Sequence, residues 1–150
     1  MNYKIHRGTQ EIGGSCVEVW TESSRIIVDF GLPLVNAKGD SFAINAYKNA
    51  SVEELIEKGI LPNIQSVYQA GTHTALILSH SHQDHCGLIR HLHSDCRVYL
   101  GEATHRLIDL TNTFSRNSRE IKHPHYFESG KSFSIGDITI TPFLADHSAV

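Results

Sequence analysis

The stretch that decides the fold is residues 76–87, Leu76-Ile77-Leu78-Ser79-His80-Ser81-His82-Gln83-Asp84-His85-Cys86-Gly87. Its first three residues are apolar and typical of a short buried strand, and the polar run after them is typical of a loop at that strand's carboxyl end. Side chains two positions apart on an extended segment point the same way. We therefore expect His80 and His82 to face a common point.

The next two polar residues of this loop add two further candidate ligands. Asp84 and His85 follow where the chain turns, so they can face a second point close to the first. Imidazole and carboxylate groups together suit Zn²⁺, and they also suit Mn²⁺ or Fe. The alternative is a loop that is rich in histidine without binding an ion. The density of ligand types directly after a buried strand favours a metal site holding one or two ions.

Length and composition indicate one globular domain, residues 1–150. The chain has 150 residues, 40% of them hydrophobic, and a net charge of −3 with histidines neutral. That composition can bury one core and gives no overall basic footprint, although a nuclease can confine its basic residues to one groove. No apolar run approaches the ~20 residues of a membrane span, and the N-terminus lacks the apolar core of a secretory signal. We expect a cytoplasmic protein without a membrane segment.

Three cysteines, Cys16, Cys86 and Cys96, are an odd number and form no C-x-x-C pair. This pattern predicts reduced thiols in a reducing compartment. Cys86 directly follows the candidate ligands, and thiolates bind zinc well. The alternative, which we favour, is a small residue that packs beneath the loop.

Hydrophobic periodicity predicts an α/β fold. Strands are expected at 3–7, 16–21, 25–29, 75–78 and 97–100, helices at 51–59, 88–93 and 102–114, and a hairpin at 131–143. The first three strands suggest an antiparallel start. The later alternation of strands and helices implies a parallel or mixed sheet with helices packed on it.

The residues His80-Ser81-His82-Gln83-Asp84-His85 resemble the H-x-H-x-D-H signature of the metallo-β-lactamase fold superfamily of dinuclear metallohydrolases. Two further segments, 8–16 and 136–149, are similar to the ribonuclease J-like branch of that superfamily. The resemblance implies an αββα sandwich. It covers nearly the whole chain but about half of that fold, the first αβ half, so we expect the N-terminal portion of a longer hydrolase.

The resemblance also implies roles for residues outside the loop. His147, in Asp146-His147-Ser148, resembles the superfamily's third histidine ligand, and would complete one metal site with His80 and His82. Asp29 ends a predicted strand and would orient the ligands, whereas the simpler alternative is a turn-capping aspartate. Asp84 is in addition a candidate acid for the leaving group.

The activity implied is metal-dependent hydrolysis by a metal-bound hydroxide, most like a phosphodiesterase or ribonuclease. Three basic residues, Arg116, Arg119 and Lys122, lie in the most cationic local stretch, residues 115–128, and could contact RNA or another phosphodiester. The alternative, which we favour, is a solvated loop. A thioester or lactone hydrolase on the same scaffold is an alternative, and so is a non-catalytic metal-binding half-domain. The first half of a sandwich alone would expose apolar faces to solvent. This predicts a homodimer or a missing segment that completes the fold.

Overall fold

A mixed sheet of six strands is the centre of the fold in the computed structural model, which describes residues 1–9, 12–36, 39–114, 120–145 and 147. In chain order the strands are β1 (Asn2–Arg7), β2 (Cys16–Trp20), β3 (Arg25–Val28), β4 (Thr74–Ile77), β5 (Arg97–Leu100) and β6 (Pro124–Tyr126). They lie side by side in that same order. β1 to β3 pair antiparallel and β3 to β6 pair parallel, so the predicted mixed sheet with an antiparallel start is confirmed.

The α-helices of the described residues are α1 (Val52–Glu57), α2 (Gln83–Cys86) and α3 (Glu102–Phe114). Short 3-10 turns are formed by Ile44–Tyr47, Gln65–Val67 and Ile89–His91. α1 corresponds to the predicted helix 51–59 and begins with a capping box, in which Ser51 and Glu54 each accept a hydrogen bond from the other's backbone N–H. No helix in the described part of the chain is long and apolar enough to cross a membrane.

Two predicted elements differ from the structure. The segment 88–93 forms only the 3-10 turn Ile89–His91, because the chain turns away after a single turn and continues towards β5. The cationic stretch 115–128, predicted as a loop, contributes strand β6 at the sheet edge. Three residues carry too little periodicity to indicate a strand, and pairing with the distant β5 supplies what the local sequence lacks.

His91 lies in this 3-10 turn and is half-buried. Its Nε2 accepts a hydrogen bond of 3.1 Å from Nε of Arg90. Burial, helped by the Arg90 charge, lowers the pKa of His91 from 6.5 to about 4. The His91 imidazole is therefore neutral in the folded chain at neutral pH.

Acidification is expected to destabilise the chain through His91. Its pKa is lower in the folded than in the unfolded state, so its stabilising contribution is complete above 6.5 and is lost as pH falls towards about 4. His91→Gln keeps a hydrogen-bond acceptor at this position but does not titrate in this pH range. Between about pH 7 and about pH 4.5, its free energy of unfolding in urea should therefore fall less than that of the wild-type chain. Equal losses in both proteins would contradict this assignment.

The two faces of the sheet bury different cores. On one face the helices and loops cover the larger core, to which β3 contributes Ile27, α1 contributes Leu55 and α3 contributes Ile108. On the other face the hairpin β7 (Phe133–Ile135) and β8 (Ile138–Ile140) covers a smaller core that includes Ile26 and Ile77. Ile26 and Ile27 thus face opposite ways, as strand alternation requires. The layers are helices, six-stranded sheet and hairpin. The predicted hairpin at 131–143 is confirmed, with its turn at 136–137.

The fold brings the carboxyl ends of β3 and β4 together. These strands pair in parallel with Val28 opposite Ile77, and the N–H of Asp29 continues the ladder by donating to the carbonyl of Ile77 at 2.9 Å. The residues after both strands therefore emerge at one edge of the sheet. In open α/β sheets this edge is where ligands bind.

Candidate metal centre

The histidine loop leaves β4 in an extended conformation and then turns into a short helix. His82 has φ −65° and ψ 147°, and α2 begins directly after it. Nε2 of His80 lies 3.1 Å from Nδ1 of His82, and the two ring centroids are 4.6 Å apart. The expected convergence of these side chains is therefore present, with His80 buried and His82 exposed.

His147 reaches the same point from the far end of the chain. Its ring centroid lies 5.1 Å from that of His80 and 5.5 Å from that of His82. One nitrogen from each of the three rings falls within 4.8 Å of the others. The N–H of His147 donates to the carbonyl of Ala145 at 2.9 Å, which forms a tight turn after the hairpin.

The three imidazoles fit a zinc ion by their chemistry and by their spacing. Three histidines are a donor set that catalytic zinc sites use, with the remaining position left open. Tetrahedral zinc with bonds of about 2.05 Å requires ligand nitrogens roughly 3.3 Å apart. The 3.1 Å between the nitrogens of His80 and His82 matches that spacing, and one nitrogen of each ring, His147 included, lies within 4.8 Å of the others.

Asp84 and His85 lie beside this group without joining it. The ring centroid of His85 is 4.0 Å from that of His80, and its Nε2 is 3.4 Å from an Asp84 oxygen. Both side chains are partly exposed. Within the described residues, only the three-histidine group brings three potential ligand atoms together. For the predicted second metal site, the described residues thus provide two candidate ligands, Asp84 and His85.

Asp29 hydrogen-bonds through its side chain to two residues of the histidine loop, Ser79 and His85. It is buried, and it is the one described non-glycine residue with positive φ, 61°. Its Oδ1 accepts from the N–H of Ser79 at 2.8 Å, and its Oδ2 accepts from the Ser79 hydroxyl at 2.9 Å and lies 2.7 Å from Nδ1 of His85. Aspartate tolerates this backbone conformation better than most residues. The left-handed turn aims the carboxylate at the histidine loop.

The protonation of the cluster follows from these contacts. The hydrogen bond to Asp29 raises the pKa of His85 above 6.5. Burial and the neighbouring imidazoles of His85 and His82 lower the pKa of His80 below 6.5. His80 is therefore neutral at neutral pH, which is the form that binds a metal.

Backbone contacts that the sequence did not indicate fix the position of α2. The carbonyl of Asp84 accepts from the N–H of Ser15, and the carbonyl of His85 accepts from the N–H of Phe30. A Cβ on Gly31 would lie 1.7 Å from the carbonyl oxygen of Asp84, so only glycine fits there. Asp29-Phe30-Gly31 is the sequence signal that could have indicated this contact. The chain after β3 therefore fixes the position of α2, the helix that carries Asp84 and His85.

The cysteines are thiols without disulfide partners. Cys86 is fully buried beneath the loop and its Sγ donates to the carbonyl of Ser81, which is the packing role we favoured over metal ligation. Burial raises the pKa of Cys16 to about 12 and that of Cys96 to about 11. These two thiols stay protonated and unreactive at neutral pH.

Two cavities bear on the predicted substrate contacts. One, of about 340 Å³, opens beside His80 and His147 and is lined mainly by apolar side chains such as Ile77 and Phe127. Lys122 lines a different cavity of about 300 Å³ that contains none of the candidate ligands. Two further predicted contacts, Arg116 and Arg119, lie outside the described residues. Of the three predicted basic contacts, the structure thus describes only Lys122, which does not line the cavity beside His80 and His147.

Comparison with known proteins identifies the fold. No protein-family model matches the chain. A structure of a Bacillus subtilis metallo-β-lactamase fold protein, YhfI, superposes over 93% of this chain with a TM-score of 0.51 and 17% identity. The chain has the metallo-β-lactamase fold. A structure of an Enterococcus faecalis protein of unknown function also shares this fold, with a TM-score of 0.71 over 91% of the chain and 22% identity.

The chain is similar in sequence to an RNase J-like protein and to transcription termination factors, in agreement with the predicted resemblance. The chain is 33% identical over 86 residues to an RNase J-like protein of Methanocaldococcus jannaschii. It is 32% identical over 85 residues to the transcription termination factor FttA of Pyrococcus horikoshii. The matches cover 57% of this chain but only 14% and 11% of these relatives. The two solved structures are matched over 50% and 36% of their lengths.

Proposed function

We propose that the chain provides the metal-binding part of a zinc-dependent hydrolase that cleaves phosphodiester bonds in RNA. The observation that carries the proposal is the convergence of His80, His82 and His147 at the carboxyl end of β4, within 4.8 Å. Similarity to an RNase J-like protein supports RNA as the substrate class. The cysteine thiols agree with a cytoplasmic location, which we propose as well.

Each residue has a separate task in this proposal. His80, His82 and His147 hold the first ion, and Asp84 with His85 begins the second site. Zn²⁺, or Mn²⁺ or Fe in its place, would lower the pKa of water and neutralise charge on the phosphodiester. Asp29 keeps His85 oriented through the 2.7 Å hydrogen bond. Asp84, whose side chain is partly exposed, is the candidate residue for delivering a proton to the leaving group.

The rest of the site requires more polypeptide than these residues provide. Tyr3 is 73% exposed and Ile5 is 46% exposed on the face of the sheet that carries the hairpin. The YhfI structure contains about twice the matched length. We propose that further polypeptide covers this face and adds ligands to the second site, and a second copy of the chain is the alternative. Arg116, Arg119 and Lys122 remain candidate contacts to RNA.

An alternative substrate class is favoured by one observation. The cavity beside His80 and His147 is mostly apolar, with Ile77, Phe127 and Ile140 among its walls. An apolar acyl group fits such walls better than a charged phosphodiester does. A thioester or lactone hydrolase is therefore the second candidate function.

A substrate panel separates these functions. The zinc-loaded protein that includes the further polypeptide should cleave single-stranded RNA and a generic phosphodiester, and should leave an acyl thioester intact. His73→Ala, which removes an exposed histidine at the opposite end of β4, should retain the activity, and His82→Ala should lose it. Hydrolysis of the thioester alone would favour the second candidate. Zinc binding by that longer protein without hydrolysis of any substrate would contradict both and favour a non-catalytic metal-binding half-domain.

A further inference from the structure

Ser79 occupies the centre of the hydrogen-bond network under the histidine loop. Its hydroxyl lies 2.9 Å from Oδ2 of Asp29, 2.9 Å from Nδ1 of His80 and 3.4 Å from Nδ1 of His85. The sequence offered no reason to single this residue out. Its side chain links the buried carboxylate to histidines from both groups of ligands.

The protons of this network can be assigned from the chemistry of its groups. An ionised carboxylate only accepts hydrogen bonds, so Asp29 Oδ2 takes the single hydroxyl proton of Ser79 and the Nδ1 proton of His85. With its proton used, the Ser79 oxygen can only accept from His80. The proton of the neutral His80 ring therefore lies on Nδ1. Its lone pair is left on Nε2, the atom that lies 3.1 Å from the nitrogen of His82.

We propose that Ser79 is a positioning residue, which relays the orienting effect of Asp29 to His80 and fixes the tautomer that presents Nε2 to the cation. The inference rests on the metal site of the proposed function. One carboxylate then sets the proton position in one histidine of each group, in His85 directly and in His80 through the Ser79 hydroxyl. Such outer contacts commonly tune the ligands of metal sites.

A merely structural role would not require the hydroxyl. The N–H of Ser79 already donates to Oδ1 of Asp29 at 2.8 Å, and any residue at this position supplies that N–H. What only serine or threonine supplies is a group that donates to the carboxylate and accepts from His80 at once. The proposal is therefore about the side chain, and it can be tested without disturbing the backbone contact.

The test is the tautomer of His80 in the metal-free chain, read from long-range ¹H–¹⁵N NMR spectra of the ring nitrogens. The wild-type chain should show His80 with its proton on Nδ1. Ser79→Ala should give a mixture of tautomers, and zinc affinity should fall roughly tenfold to a hundredfold. Ser79→Thr should restore both. Ser81→Ala removes a neighbouring hydroxyl in the same loop and should change neither.

The outcomes are independent of hydrolysis, so they separate this proposal from the proposed function. A proton on Nε2 of His80 in the wild-type chain would overturn the proposal, and so would an unchanged tautomer in Ser79→Ala. Circular dichroism and backbone NMR shifts establish that each variant is folded. Absence of RNA cleavage together with the expected tautomers would reject the proposed substrate and leave the role of Ser79 intact.

Discussion

Replacing His82 with alanine should lower the affinity of the chain for zinc by about a hundredfold or more, which corresponds to about 2.8 kcal/mol. His82 supplies one of three nitrogens that lie within 4.8 Å of one another, and two imidazoles alone bind zinc weakly. Its side chain is exposed, so its loss removes little packing. The folded structure should therefore survive the change. Competition with a chromophoric chelator measures the affinity directly.

A matched control comes from the other end of the same strand. His73→Ala removes an equally exposed imidazole just before β4 and should leave zinc affinity unchanged. In the protein that includes the further polypeptide, His82→Ala should lose hydrolysis along with the metal. Retention of zinc or of hydrolysis by His82→Ala would show that the ion, or the chemistry, is located elsewhere.

Asp29→Asn should be the most destabilising single change at the site, at about 2–4 kcal/mol. Asparagine keeps the size of the side chain and tolerates the positive φ of 61°, so the change isolates the carboxylate. An amide cannot accept from Ser79 N–H, the Ser79 hydroxyl and His85 together, because its nitrogen is a donor. Urea unfolding measures the loss of stability.

The same variant should shift the titration of His85. Asp29 raises the pKa of His85, so the contribution of this pair is complete below 6.5 and is lost as pH rises through the folded-state pKa. In Asp29→Asn the pKa of His85 should fall towards or below 6.5, and NMR titration of the ring reports it. The exposed pair of Asp95 and His93, 3.6 Å apart, gives the control. Asp95→Asn should cost at most about 0.5 kcal/mol, and an equal cost for both variants would contradict the role of Asp29.

Much of the fold was predictable because its signals are local. Alternating strands such as Cys16–Trp20, the capping box at Ser51 and the Gly136 turn are each encoded within a few residues. Strand β6 was not predictable, because Pro124–Tyr126 is extended only through pairing with β5. Contacts between distant segments decide such elements, and a single sequence does not display them.

In the candidate site too, some features follow from the local sequence and others depend on contacts between distant segments. The approach of His80 to His82 follows from alternation along an extended chain. The approach of His147 followed only from the family resemblance, since no local pattern connects it to the loop. Ser79 and Gly31 were missed because their importance lies in contacts with Asp29 and with the carbonyl of Asp84. The sequence marks these contacts only as a serine and a glycine.

The most direct test of the shared cation is a crystal of the chain grown with zinc and measured at the zinc absorption edge. We expect an anomalous peak about 2.0–2.1 Å from one nitrogen each of His80, His82 and His147. A peak elsewhere, or a fully occupied peak bound by the loop histidines with His147 remote from it, would contradict the central claim.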